Sequence, residues 1–399
     1  MKIVCTTLGT RGDIQPFAAL AKSLCERGHE VAVATHPWAA SLLEFYNVRH
    51  IPLMVEEEEG SMYVETGGSI WDFIALIRNG IEGLRKRHKH LLKACEDCDL
   101  IIGHYGVIGL VEAEILKKPY VNFAILEGAV PKIERKNFFE ILKDLPSYIL
   151  EQVAIRPFSK YRSEVGLPAK INNTNRLTLL GLHNSLVRKD ERWVQPTALV
   201  GFQFLPTPLE FQPPQYLIDF LKKGEKPLFI TFGSNAQDPQ KFKKFFSTLL
   251  NALQDIKIRA IIQVTGLSAD TELPNSVCRV ENIPYPWLFA KVSMVIHHGG
   301  YGTFGEVLRA GLPSISIPQA ADQFARSKEI FDKGLSHAPL DWKKVSQEEI
   351  VIAIKTVLAD SMMQRRLKEV SIEIEEDVES CKAAATIEKY FQELTPQPL

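Results

Sequence analysis

Between Ile296 and Glu306 the chain reads IHHGGYGTFGE, with two adjacent histidines, His297 and His298, ahead of Gly299, Gly300 and Gly302. A turn that only reverses direction needs one or two glycines, so the excess points to a backbone that must come close to something. Met294-Val295-Ile296 is a buried-strand pattern, and a helix is expected from near Phe304 to Gly311, so the turn joins a strand to a helix. Such a junction aims unpaired backbone N–H groups and the positive helix end at one point, which suits a phosphate. His298 could add a hydrogen bond or a positive charge to a phosphate oxygen, the three glycines would let the backbone approach, and Thr303 supplies a hydroxyl. A tight turn with a capping Thr303 is the alternative. The spacing is not the G-x-G-x-x-G dinucleotide fingerprint.

Glu306 stands three residues after Thr303. It either completes a capping box or, one turn inside the helix that meets the phosphates, accepts both hydroxyls of a ribose. In SISIPQAADQFARS a strand ends near Pro318, and Asp322-Gln323 follows on the same sheet edge. A carboxylate beside an amide offers acceptors and donors to sugar hydroxyls, although Asp322 could equally cap the next helix. In TLGTRGDIQP, Asp13 follows the first strand; it is a candidate general base for an acceptor hydroxyl or an ordinary N-cap. Arg11 and Gly12 share its loop. Ser234, with Gly233 beside it in ITFGSN, could bond a phosphate or cap a helix.

The elements that must position these residues read as α/β. Residues 2–35 give strand, glycine loop, helix stripe (Phe17, Leu20, Ala21, Leu24), Gly28 stop and second strand, a βαβ unit. Further strands are expected at Leu100–Ile102, Tyr120–Phe123 and Leu177–Leu180. FQFLPTPLEFQPP then forbids regular helix and suits a connector, after which PLFITFGSNAQDPQKFKKFFSTLL repeats the opening pattern. Strands follow near Ile258–Val264, Met294–His297 and Ser314–Ile317. The expectation is two Rossmann-like, doubly wound parallel-sheet domains facing across a cleft. They would span residues 1–205 and 223–375, with a linker at 206–222 and a charged C-terminal helix over 376–399 that could return to the first domain.

The chain's 399 residues carry a formal net charge of −1, so no global field favours nucleic acid or an anionic membrane. The six cysteines are scattered, which fits reduced thiols, and the apolar run at the N-terminus is too short for a signal peptide; a cytoplasmic location is expected. CEDCD (Cys95–Asp99) holds a C-x-x-C and a D-x-D but precedes a strand, on the sheet edge opposite the expected site, so a surface turn is expected there and no metal. Ile70, Phe73, Ile74, Ile77, Ile81 and Leu84 form a helical stripe ahead of RKRHKH. This is either a core helix with a solvated basic end or a surface making transient contact with lipid head groups.

With those residues in place, the chain resembles the inverting nucleotide-sugar glycosyltransferases of the GT-B architecture, in the UDP-glycosyltransferase superfamily. It is most similar to the branch of glycopeptide- and macrolide-antibiotic and sterol glycosyltransferases. The likeness runs through GTRGDIQPFAALAKSLCERGHEV, FQPPQYLIDFL, ITFGSN, ENIPYPWLF, HHGGYGTFGEVLRAGLPSISIPQAADQ and a C-terminal helix. It implies a metal-independent hexose transfer from a UDP- or dTDP-sugar to a hydroxyl of a small apolar acceptor, with no cofactor beyond that co-substrate. It implies that His298 and the backbone of Gly300, Gly302 and Thr303 contact the diphosphate, helped by Ser234. Glu306 would hold the ribose, Ile283 the base edge through its backbone, Asp322 and Gln323 the sugar, and Asp13 would be the base. The sequence departs from the pattern at Tyr301, at Tyr285 and at Phe324-Ala325-Arg326, which lacks the usual Pro and aromatic pair. Aromatics in the variable loops of the first domain (Trp71, Phe138, Phe139, Phe158) hint at an apolar acceptor. The rival readings are a nucleotide-sugar epimerase and a non-catalytic sugar-nucleotide-binding subunit.

Overall fold

A computed structural model describes residues 1–54, 70–133, 145–172, 176–187, 189–194, 196–208, 210–233, 239–264, 271–319, 321–379 and 381–394. They form two compact units, Met1–Gln203 with Asp377–Leu399, and Phe204–Glu376.

In the first unit, β1 (Lys2–Thr6) leads to α1 (Arg11–Glu26), β2 (Glu30–Thr35), α2 (Ala40–Phe45), β3 (Arg49–Pro52), α3 (Ile70–Cys95), β4 (Leu100–His104), α4 (Leu110–Leu116), β5 (Tyr120–Ala124), α5 (Leu145–Glu164), β6 (Thr178–Leu180) and β7 (Thr197–Leu199). The strands pair in parallel in the order β3-β2-β1-β4-β5-β6-β7. Central strands such as β4 (LIIGH) are buried at every position, as a sheet covered on both faces requires. α1 buries Ile14, Phe17, Leu20, Ala21 and Leu24, the stripe expected from the sequence, and Gly28 follows it with φ +87°. The C-terminal helix Lys382–Leu394 packs in this unit. Arg27 donates to both oxygens of Glu388 (Nε to Oε1, 2.8 Å), and His29 Nε2 lies 3.0 Å from Oε1.

Ile81 and Leu84 are buried in the core with Leu91, Cys95 and Cys98, and Ile77 packs against them. Of the basic run, Arg87 is buried and donates to the Gly83 carbonyl, Arg85 pairs with Glu164, and His88 bonds Glu112 at 2.7 Å. The side chains of Ile70, Phe73 and Ile74 lie outside the described residues, as do those of Trp71, Phe138 and Phe139. Phe158 is a core side chain, not an acceptor wall. Cys95 and Cys98 are buried rather than on a surface turn, and Asp99 accepts the backbone N–H of Lys2 at 2.7 Å, at the amino end of β1. Among the described residues no helix is long and apolar enough to cross a membrane.

The second unit begins in extended chain, but residues 215–222 of the expected linker are α6 (Gln215–Lys222), whose Leu217 and Phe220 join the core of this unit. Then come β8 (Leu228–Thr231), α7 (Pro239–Asp255), β9 (Ala260–Gln263), β10 (Val277–Arg279), α8 (Tyr285–Phe289), β11 (Met294–His297), α9 (Tyr301–Arg309), β12 (Ser314–Ser316), α10 (Ala321–Asp332), α11 (Gln347–Ala359) and α12 (Ser361–Glu379). The sheet is parallel, in the order β10-β9-β8-β11-β12. The single charged helix expected at the C-terminus is two helices. The chain breaks beside Cys381, a non-glycine residue at φ +47°.

Candidate active site

Both sheets bring candidate residues to the carboxyl ends of their central strands. In the first unit Asp13 is the third residue of α1 and not its cap, which is Thr10. Thr10 Oγ1 accepts from the Gly12 N–H (3.2 Å), while Asp13 Oδ2 accepts from the Thr10 N–H (2.8 Å) and hydroxyl (3.0 Å). This is a capping box in which an aspartate replaces the usual glutamate. The other carboxylate oxygen, Oδ1, accepts from the Tyr105 hydroxyl at 3.0 Å. Gly9, at φ +129°, makes this possible, because a Cβ there would lie 2.5 Å from Asp13 Oδ2. Arg11 is exposed at the start of the helix.

Three neighbours of this carboxylate escape the motif reading. His104 closes β4 and Tyr105 follows it, their rings stacked with centroids 3.6 Å apart. His104 is fully buried, its Nδ1 lies 2.9 Å from Thr7 Oγ1, and burial holds it down to about 3, so it is neutral. His36, at the end of β2, accepts the Gly9 N–H on Nε2 (3.2 Å) and stacks on the half-exposed Trp38. The available signal was position: all three stand where a parallel strand ends, beside the loop that carries Asp13.

In the second unit β8 ends at Thr231 and β11 at His297, paired in register. His297 is buried, its Nδ1 accepts the Gly299 N–H at 3.2 Å, and Phe304 packs edge-on against it. It holds the turn from inside through Nδ1, while its Nε2 has no hydrogen-bond partner among the described residues. His298 is also buried, and its Nδ1 has no hydrogen-bond partner among the described residues. Burial, then the charge of Arg326, lower it to about 4 against a weaker opposing bond to the Thr231 backbone. The ring is therefore neutral near pH 7 and offers a hydrogen bond, not the positive charge the sequence allowed. The cation here is Arg326, whose Nη1 donates to the Gly299 carbonyl at 3.2 Å and whose guanidinium stands 5.8 Å from the Tyr301 ring centre.

The glycines divide by what fills their missing side chains. A Cβ at Gly300 would lie 2.4 Å from His298 Nε2, and one at Gly233, 2.7 Å from His298 Cε1. Both make room for the imidazole. A Cβ at Gly299 would meet Ser327 Oγ at 2.7 Å. At Gly302 nothing lies within 4 Å. Of this set, Gly302 alone leaves its side-chain space open.

α9 starts at Tyr301 with Gly300 as its N-cap, earlier than the Phe304 expected from the sequence. Thr303 is therefore a buried third residue and neither a cap nor half of a capping box with Glu306. Glu306 lies in the second turn and is 4% exposed. Burial pushes its pKa up to about 8, with Arg309 opposing and Glu375 adding to the rise. Gln323 is buried and its Oε1 accepts the Gln319 N–H at 2.9 Å, which closes the loop before α10. Asp322 falls in the first turn of α10, its side chain outside the described residues, as is Ser234. The Ile283 N–H donates to Gln263 Oε1 at 3.3 Å.

Residues 3–105 match the glycosyltransferase family 28 N-terminal domain, and residues 247–394 match the erythromycin biosynthesis protein CIII-like C-terminal domain. A sterol 3-beta-glucosyltransferase of Arabidopsis thaliana is 28% identical, over 100% of this chain and 69% of the relative. One from Komagataella phaffii is 27% identical, over 94% of this chain but only 33% of the relative, so the chain spans about a third of that protein's length. The crystal structure of the glycotransferase of kitacinnamycin superposes with a TM-score of 0.75 at 17% identity, covering 98% of this chain and 99% of that one, a likeness of fold. Two parallel sheets with that fold, together with these domain matches at the two ends of the sequence, support the GT-B glycosyltransferases of the UDP-glycosyltransferase superfamily as the relatives of this chain.

Proposed function

We propose that the protein transfers a hexose, with inversion, from a UDP- or dTDP-sugar to the hydroxyl of an apolar acceptor of the sterol class. The observation that carries this reading is Glu306: a buried carboxyl whose pKa burial pushes up to about 8, one turn inside a helix that opens on a glycine turn. A buried carboxyl is costly to ionise unless donors complete it, and a ribose diol supplies two. The first N–H groups of α9, at Tyr301, Gly302 and Thr303, have no carbonyl within the helix to bond and would take the diphosphate oxygens, with His298 donating and Arg326 supplying charge.

Asp13 removes the proton from the acceptor hydroxyl as its oxygen bonds to the anomeric carbon. On the opposite face the bond to the diphosphate oxygen breaks, and the nucleoside diphosphate leaves with the electron pair. No divalent cation enters this step. In support, the Asp97–Asp99 pair lies at the amino end of β1 with Asp99 engaged by Lys2, away from Asp13. The sterol glucosyltransferase names of the relatives favour a transferase over the epimerase and accessory-subunit readings, and support the acceptor class.

The test is incubation with UDP-glucose or dTDP-glucose and cholesterol, with and without EDTA, followed by proton NMR of the product. A β-glucoside formed equally with chelator is expected. An α-glucoside would overturn inversion, and conversion of the sugar nucleotide without acceptor would favour an epimerase.

A further inference from the structure

Tyr105 adopts φ +56°, in the left-handed region that a side chain larger than asparagine rarely occupies, and Gly106 follows at φ +69°. The backbone therefore turns sharply as soon as β4 ends. That turn lays the Tyr105 ring flat on His104, at an interplanar angle of 17°. It also carries the hydroxyl 3.0 Å from Asp13 Oδ1. His104 is itself fixed by Thr7 Oγ1 on one side and by Phe17, 5.0 Å between ring centres, on another. A strained residue persists where its surroundings over-determine it, and here the strain aims a phenol at one atom.

Resting on the reading of Asp13 as the base, we infer that Tyr105 is a positioning residue for it. With Oδ2 held by Thr10, the Tyr105 hydroxyl sets the direction of Oδ1, the oxygen that would receive the acceptor's proton. The bond also favours the ionised carboxylate, because a hydroxyl donating to the charged form is lost when the carboxyl is protonated. The other titratable groups around Asp13 are His36, which accepts the Gly9 N–H, the buried His104, and the exposed Arg11 of its own helix. None of these is altered when the phenol alone is removed.

Tyr105→Phe keeps the ring on His104 and deletes only the donor. The expected result with UDP-glucose and cholesterol is a kcat lowered by about tenfold, with KM for UDP-glucose and thermal stability unchanged. The acid limb of the kcat profile should move to higher pH by about one pH unit, since the carboxyl has lost a bond that favoured ionisation. A second readout needs no turnover: in protein carrying carboxyl-13C aspartate, the resonance that disappears in Asp13→Asn should titrate at higher pH in Tyr105→Phe. Superposed rate profiles, or an unmoved carboxyl titration, would overturn the inference. Its failure is distinguishable from failure of the base assignment, because only the latter would leave Asp13→Asn active.

Discussion

In the seven-stranded sheet the strand order reverses between β1 and β4, and in the five-stranded sheet between β8 and β11. Loops leaving adjacent strands there diverge and open a crevice, so each unit offers a ligand site at the same point of the same plan. The two sites are filled in opposite ways. Beside β1 and β4 a carboxylate is held by Thr10 and Tyr105, and Gly9 is small so that the carboxylate can fold back over it. Beside β8 and β11 stand a neutral imidazole and a run of backbone amides, with Gly233 and Gly300 small so that the ring can fit. On the proposed function, one edge accepts a proton and the other holds an anion. Gly9, Gly233 and Gly300 mark where a side chain of the chain itself is seated, and Gly302 leaves its side-chain space open.

The sharpest way to break this division is Asp13→Asn. It keeps the shape of the first site and removes its basicity, so turnover should fall by about 10²- to 10⁴-fold. UDP affinity, read by calorimetry, should be unchanged, since the amide turn lies in the other unit. Near-normal turnover would remove Asp13 from the chemistry.

Glu306→Gln tests the opposite site and should leave the first untouched. At pH 8 UDP affinity should fall about 10- to 100-fold, as expected when a charged acceptor of two hydroxyls is neutralised. Because burial pushes Glu306 up to about 8 in the free protein, while ribose hydroxyls favour the ionised form, UDP should bind more tightly as pH rises from about 5 to 8, releasing a proton. Binding heats in two buffers of different ionisation enthalpy would detect that proton in wild type and not in the variant. The folded-state value lies above the ordinary 4.5, so the stability tied to this group is present below 4.5 and lost as pH rises through about 8. Equal heats in both buffers would remove Glu306 from the nucleotide site.

Gly300→Ala and Gly302→Ala separate the two uses of glycine within one turn. At Gly300 the methyl meets the His298 ring, so thermal stability and UDP affinity should both fall, the former by about 1–3 kcal/mol. At Gly302 it meets nothing and sits in the first turn of α9, where alanine should add about 0.5–1 kcal/mol to stability. UDP affinity should nevertheless drop, because the methyl takes the space through which the diphosphate reaches the amides. A Gly302→Ala protein that binds UDP as wild type would place the diphosphate elsewhere.

The sequence was legible where one element's own pattern decided the structure. β1, β2, β4, β5, β8, β9, β11 and β12 are apolar runs and were expected near their observed ranges. β3 (RHIP), β7 and β10 were missed, and all three are edge strands, three or four residues long, whose pairing depends on a neighbour rather than on their own burial. At the site, residue types in motifs were legible and their partners were not. That His298 occupies the space at Gly233 and Gly300, or that Gln323 spends its carbonyl on Gln319, is a fact about packing between segments far apart in the chain. Tyr105 stood one residue past a strand, and only its left-handed backbone brings it to Asp13.

The smallest effect concerns how each unit is closed. The first unit takes its last helix from the far end of the chain and pins it through Glu388, whose carboxyl is held down to about 2, first by its hydrogen bond to Arg27 and then by His29. A depressed carboxylate stabilises above its unfolded value near 4.5, and the gain is lost as pH falls toward 2. Both partners are partly solvated, so screening makes the gain small. Glu388→Gln should raise the opening of the Lys382–Leu394 helix, seen by amide hydrogen exchange, by about threefold at pH 7. The difference should shrink between pH 4.5 and 2, and exchange in the five-stranded unit should not change. If the five-stranded unit loosened to the same degree, the C-terminal helix would be a clamp on both units rather than the closing element of one.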